Sequence, residues 1–501
     1  MNIKQAKAEI KHTVKAYLAK DQDGMYRIPY IRQRPILLMG PPGIGKTQIM
    51  EQIARECRIG LVAYTITHHT RQSAVGLPYI KEETFHGRSY SITEYTMSEI
   101  IASIYRKIET SGLAEGILFI DEINCVSETL APTMLQFLQC KTFGNQSVPH
   151  GWIIAAAGNP PEYNKSVRDF DMVTLDRVRC IDLEADFSVW KEYAKQVHIQ
   201  NEIISYLELR PKNFYRIETD VDGMRFVTAR GWEDLSCLME VYKELDIPID
   251  AGVVGQFLHH EETAQDAAAY FGLYHKYQDD YGIADILNGK IKPQISARIE
   301  QAAFDERLSV ISLLTDGLSG CFTKTALQKA RTDLWYAFLK DYRRQLSDAR
   351  DPHICYARLE KIFEDTFVQE REAGLLNRTQ IKNRQWLVQK LKEFLPQSGL
   401  APQAAFAEAK KGFDQQQEIL EQAELAAGIA LEYAFDFMEQ AFLNGQEMVV
   451  FITDLTLNHE AAAFLAEHPS ERFTRYSRQL LIGTRRQQLL SELDRDIEQF
   501  T

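Results

Sequence analysis

Short apolar runs closed by turn residues or carboxylates recur through the first third of this chain. Pro35–Met39 ends at Gly40, Gly116–Ile120 at Asp121-Glu122, and Trp152–Ala157 at Gly158-Asn159-Pro160-Pro161. Leu61–Thr67 and Arg179–Leu183 are read as two further strands. Runs this short and continuous suit strands buried on both faces of a parallel sheet. Between them the period becomes helical: residues 3–20 with Ile10, Val14 and Leu18, then Ile49, Ile53 and Ala54, then roughly 128–140. Residues 68–95 alternate around two turn clusters and predict a β-hairpin. Thr96-Met-Ser-Glu99 matches a capping box opening the next helix. The alternation of strand and helix predicts an α/β core over residues 1–183.

From residue 184 the pattern is mostly helical. One helix carries Arg230, Leu235, Leu238 and Tyr242, and a buried one covers 306–314. Asp351-Pro352 and Leu395–Pro402 are breaks. Phe406, Phe413, Leu420 and Ala427 recur every seven residues. That spacing suits packing inside a helical bundle or a coiled coil for a partner. Met448–Thr453 predicts a short strand. Arg472, Arg475, Arg478, Arg485 and Arg486 form a basic face that offsets nearby acids or docks an acidic partner. The expected division is 1–183, a helical domain at 184–345, and a mainly helical extension at 346–501.

The chemistry concentrates at Gly40-Pro41-Pro42-Gly43-Ile44-Gly45-Lys46-Thr47, spaced G-x-x-x-x-G-K-T after a strand and before a helix. Such a loop turns backbone N–H groups inward around phosphates, with the positive helix end behind them. Lys46 then reaches the β- and γ-phosphates, and the Thr47 hydroxyl ligates Mg2+. Asp121 and Glu122 stand at a strand's carboxyl end, where open α/β sheets bind ligands. Asp121 suits Mg2+, and Glu122 suits polarising a water. Asn159 ends the neighbouring run; it positions that water against the γ-phosphate or only makes a turn. Arg177 either reaches the nucleotide of a neighbouring subunit or pairs with Asp171 or Asp176 at the surface. The segment 28–35 packs near an adenine base or is a linker. His68, His69 and His86, and His259-His260, lack metal-site spacing.

The net charge of −13 argues against broad nucleic-acid binding. Seven scattered cysteines without C-x-x-C spacing suit free thiols in a reducing cytoplasm. The charged amphipathic start is unlike a signal peptide, and no apolar run is long enough to span a membrane.

These residues resemble the MoxR group of AAA+ ATPases. The matches are GPPGIGKT (40–47), LFIDEIN (118–124), AAGNPP (156–161), LDRV (175–178) and TARGWEDL (228–235), with SAVGLP (73–78) similar to that group's helix-2 insert. The resemblance covers about residues 28 to 320. It implies a sheet sandwiched by helices, with 184–345 as a helical lid. Gly40, Pro41, Pro42, Gly43, Ile44, Gly45, Lys46, Thr47 and Gln48 would bind ATP, and Thr47 and Asp121 would hold Mg2+. Glu122 would be the Walker B base, Asn159 sensor 1, Arg230 sensor 2, and Arg177 an arginine finger acting in trans. The family's DRF reads DRV here, and Arg168 competes for the finger role. The resemblance further implies a homo-oligomeric ring, a hexamer favoured, with a von Willebrand A domain partner and a protein client. Two other functions fit the residues: a nucleotide-gated scaffold with incidental hydrolysis, and a DNA-associated motor.

Overall fold

The computed structural model describes residues 1–67, 74, 76–143, 146–163, 170–220, 223–346, 351–442 and 445–480. His68, His69, Arg168, Asn444, Arg485, Arg486 and two positions of SAVGLP lie outside the described residues. The chain forms two compact units. One comprises Met1–Val189, Thr228–Arg230 and Ile362–Lys382, the other Trp190–Val227, Gly231–Lys361 and Asn383–Thr501.

The first unit is built on parallel strands β1 (Ile36–Met39), β2 (Gly60–Thr65), β5 (Gly116–Asp121), β8 (Trp152–Gly158) and β9 (Arg179–Asp182). Their spatial order is β2-β5-β8-β1-β9. Between β2 and β5 stands the antiparallel hairpin β3 (Pro78–Phe85) and β4 (Arg88–Tyr95), and β6 (Thr142–Phe143) pairs with β7 (Gln146–Ser147). Alternate strand residues point to opposite faces, so each run supplies two cores. Leu37, Leu118, Ile120, Ile154 and Ala156 pack with Ile100, Ile104, Met134 and Phe137. Ile36, Leu38, Ile117, Phe119 and Ile153 pack with residues of helices α1 (Ile3–Tyr17) and α2 (Lys46–Cys57), including Ile10, Val14, Met50 and Ile53. The α/β sandwich read from the sequence is the observed fold.

The inserted hairpin is as expected. His86 and Gly87 take its turn with φ 52° and 79°, the pair of left-handed residues that a two-residue turn between twisted strands requires. His86 is thus a turn residue. The capping box is not formed. The helix Glu99–Ser111 starts at Ser98, whose hydroxyl donates to the Ala74 carbonyl, while Thr96 Oγ accepts the Leu77 N–H. Tertiary partners have taken both hydroxyls. In the lead-in segment, the Tyr30 ring stacks on His150 at 5.0 Å and its hydroxyl donates to Val148. Those partners precede β8, so Tyr30 lies at the amino ends of the strands, away from the glycine loop at 40–45. Residues 362–382 join this unit through Arg58 on Glu370 and Lys107 Nζ, which donates to the Ala373 carbonyl at 2.9 Å.

In the second unit a 43-residue helix, Phe304–Leu346, packs along a 41-residue helix, Pro402–Phe442. The buried seam of the latter is mostly small, with Ala405, Ala409, Gly412, Ala423 and Ala427, which lets the helices approach closely. Of the seven-residue pattern, Phe406 and Phe413 pack on Tyr342 and Tyr336 of the other long helix and Ala427 is buried in the core, which is packing within the bundle. A Cβ at Gly412 would stand 2.5 Å from Trp335 and Phe394 atoms. The predicted strand at 448–453 is instead part of the helix Gln446–Leu457. Met448, Phe451, Ile452 and Leu455 share one buried face at spacing i, i+3, i+4, i+7. The hairpin β10 (Arg216–Asp220) and β11 (Gly223–Val227) was not foreseen. His260 accepts the Thr263 N–H as the cap of Glu261–Tyr281, and His259 packs on Phe226. Arg472 and Arg475 pair with Asp436 and Glu439, a solvated face offsetting acids. Among the described residues no single helix is long and apolar enough to cross a membrane. The bent pair Gln446–Leu457 and His459–Glu467 passes by length and composition, but its residues belong to the buried core.

Candidate active site

Because the five strands are parallel, their carboxyl ends share one edge. β1 ends there in the loop 40–45, β5 in Asp121-Glu122 and β8 in Asn159. Gly43 and Gly45 hold φ of 75° and 92°, a region that costs residues with a Cβ. At Gly43 an added Cβ would also stand 3.0 Å from Thr228 Cβ. The loop thus turns tightly into α2, whose first residue is Lys46.

Lys46 is 8% exposed. Its ammonium donates to the carbonyls of Gly40 (2.7 Å) and Pro41 (2.9 Å) and to Asn159 Oδ1 (2.7 Å). Burial pushes its pKa down to about 8; Asp121 and Glu122 pull it upward, and Arg230 adds to the lowering. Among the described residues no carboxylate is hydrogen-bonded to this amine; carbonyl and amide dipoles hold it directly, and Asp121 and Glu122 act on it through space.

The Thr47 hydroxyl donates to Asp121 Oδ2 at 2.8 Å, and Asp121 Oδ1 accepts the Glu122 N–H at 2.9 Å. A hydroxyl oxygen and a carboxylate this close form the hard-oxygen pair that Mg2+ takes beside phosphates. Glu122 has φ 56°. A residue other than glycine in that region carries strain of order 1–3 kcal/mol, and here the turn swings the chain out of the β5 ladder directly after Asp121. Cys125 N–H bonding back to the Glu122 carbonyl closes the turn.

Arg230 reaches this edge from far along the chain: its N–H donates to the Gly43 carbonyl at 3.2 Å, and Thr228 packs on the same glycine. Thr228 had only stood inside a quoted motif; a hydroxyl-bearing residue two before the arginine was the available signal. Asn124 was likewise unassigned, yet its carboxamide pairs with the backbone of Asn159. Its signal is a buried polar residue beside the carboxylate pair. Arg177 is exposed and is not gathered into the cluster. It follows the short helix Met172–Leu175, capped by Asp171, and precedes β9. Arg179 pairs with Ile36, the first residue of β1, so Arg177 stands at the amino edge of the sheet.

Fold and loop together define a P-loop α/β domain. Residues 36–175 match the ATPase family associated with various cellular activities (AAA). This chain therefore carries an AAA ATPase domain, which implies nucleotide binding. A solved structure from Cytophaga hutchinsonii, provisionally named an ATPase, is similar at 16% identity over 39% of this chain and 57% of that one, with a TM-score of 0.24. The match thus spans a little over half of that protein. Comparison with curated proteins finds no match.

Proposed function

We propose that this chain is a MoxR-type AAA+ ATPase. It hydrolyses ATP with Mg2+ in a homo-oligomeric ring, a hexamer favoured by the resemblance, to remodel or activate a protein client with a von Willebrand A domain partner. The observation that carries the ATPase reading is the convergence on one sheet edge of the buried Lys46, the Thr47–Asp121 oxygen pair, Glu122 and Asn159. The client and partner rest on the family resemblance.

In this reading the loop N–H groups and Lys46 bind the phosphates, and Thr47 and Asp121 hold Mg2+. Bound Mg2+ would supply charge neutralisation on the β- and γ-phosphate oxygens. Glu122 takes the proton of the attacking water, and Asn159 orients that water. Arg230, anchored on the loop, adds a cation from the lid side. Arg177 is separated from its own loop by the length of β1, about 13 Å at ~3.3 Å per residue. Its guanidinium then acts on the site of a neighbouring copy, which is why a ring is part of the proposal.

Native mass and turnover of Glu122→Gln test this. The variant is expected to bind ATP, assemble with it, and lose turnover by about 10²–10⁴-fold. Near-normal turnover would remove Glu122 as the base. In wild type, full hydrolysis by a monomer would remove the ring. Arg177→Ala mixed with Lys46→Ala should recover part of the turnover that neither shows alone; no recovery places the arginine elsewhere.

A further inference from the structure

We infer that Asn124 is a positioning residue for Asn159, a side-chain rung that continues the β5–β8 ladder past the Glu122 turn. The inference rests on the ATPase reading above. The backbone ladder between β5 and β8 runs to Ile120 opposite Ala156, and the Ile123 N–H makes one further bond to the Ala157 carbonyl at 2.9 Å. On the other side β1 pairs no further than Met39 with Gly158. Asn159 therefore lies one residue beyond the β1–β8 ladder and three beyond the last β5–β8 pair.

Asn124 takes over there. Its Nδ2 donates to the Asn159 carbonyl at 2.8 Å, and its Oδ1 accepts the Asn159 N–H at 3.3 Å. These are the backbone hydrogen bonds seen for Asn159 among the described residues. Asn124 is 3% exposed. Its carboxamide fills the space beside Gly158, where an added Cβ would stand 2.7 Å from Oδ1; the glycine is what admits the amide. Only a side-chain amide offers a donor and an acceptor together at this reach. An aspartate lacks the donor, a serine is too short, and a leucine leaves both backbone groups unpaired.

The consequence is directional. Asn159 Oδ1 meets Lys46 Nζ at 2.7 Å, so the residue that fixes the Asn159 backbone also fixes where its carboxamide points. Asn124 stands two positions after Glu122, on the same turn. A shift of the Glu122 turn therefore carries to Asn159 through this clasp, coupling the proposed base to the proposed sensor.

The test is a double-variant cycle on the full chain, reading kcat and KM for ATP. Asn124→Ala should lower kcat by up to about 10²-fold, the cost of misplacing a group by about 1 Å, while KM changes by less than about threefold. In the Asn159→Ala background the same substitution should cost nothing further, since the group it positions is gone. Multiplicative losses, or a rise in KM with kcat unchanged, overturn the inference. Asn124→Asp keeps the acceptor and the volume and serves if Asn124→Ala fails to fold. It should show the same kcat loss and the same non-additivity, and wild-type kcat in it would equally overturn the clasp. A failure of the ATPase reading itself would show separately, as undiminished turnover in Glu122→Gln.

Discussion

Two buried lysine sites, one in each unit, use opposite solutions. In the first unit Lys46 meets only carbonyls and an amide, and its pKa falls to about 8. In the second, Lys191 and Lys195 converge on Asp454 at 3.1 and 2.9 Å, and Lys191 also pairs with Glu208. Burial pushes Lys191 down as well, but Asp454 and Glu208 outweigh it and its pKa is raised. Asp454 is held below the usual carboxylate range: burial opposes this, and the two lysines win. One site pairs its lysines directly with carboxylates; the other holds its lysine through dipoles, with Asp121 and Glu122 acting only through space. A buried lysine is therefore informative only with its partners named. Lys141 makes the point again: burial lowers it to about 8, but its amine faces the Tyr30 carbonyl and ring, 4.0 Å from the centroid.

The contrast breaks most easily at Asp454. Asp454→Ala takes the shared carboxylate from two largely buried lysines, leaving Lys191 with Glu208, and is expected to cost about 3–5 kcal/mol of stability. Urea unfolding measures this, and a loss under about 1 kcal/mol would mean the network is not desolvated. Lys46→Ala should behave in the reverse way. It removes a charge whose burial is costly, so ligand-free stability should hold or rise by up to about 3 kcal/mol, while ATP affinity falls by about 1.5–3 kcal/mol, roughly ten- to more than a hundredfold. Titration of a fluorescent ATP analogue alongside unfolding separates the two readouts.

The smallest effect sharpens the comparison through pH. The folded pKa of Lys46, about 8, lies below its ordinary value of 10.5. Between those values the unfolded chain binds more protons, so ligand-free stability contributed by this group rises with pH across that window. Below pH 8 the penalty of the buried charge is fully present. ATP binding needs the charged amine, so affinity should fall by up to about tenfold per pH unit above 8. Lys191, already paired, should add no such decline. A flat affinity profile from pH 7 to 9.5 would show that Lys46 stays charged without its ligand.

The centre of the sheet was legible because β1, β5 and β8 are contiguous apolar runs ended by a marked turn or a carboxylate pair. The helical unit was less so. Met448–Thr453 has the composition of a strand, and only the wider spacing that includes Leu455 marks it as part of a helix. The hairpin β10–β11 lacks a contiguous apolar run; its signal is the weaker alternation of Ile217, Thr219, Met224 and Phe226 around Asp222-Gly223. The seven-residue pattern at 406–427 pointed to packing, but the seam is carried by small residues such as Ala405 and Gly412, whose close helix approach depends on Trp335 and Phe394.

By itself the sequence determined the glycine loop at 40–47 and the carboxylate pair at 121–122. Their chemistry is local: glycines that permit the turn, a lysine and a threonine at the helix start, two acids at a strand end. The tertiary structure decided what meets them. Parallel register brings Asp121 to Thr47 across 74 residues and Asn159 to Lys46 across 113. It also turns Asn124 from a motif letter into a clasp, and sets Arg177 at the far edge from its own loop. A carboxamide's partners and a cation's balance are properties of neighbours in space, and the order of residues along the chain does not contain them.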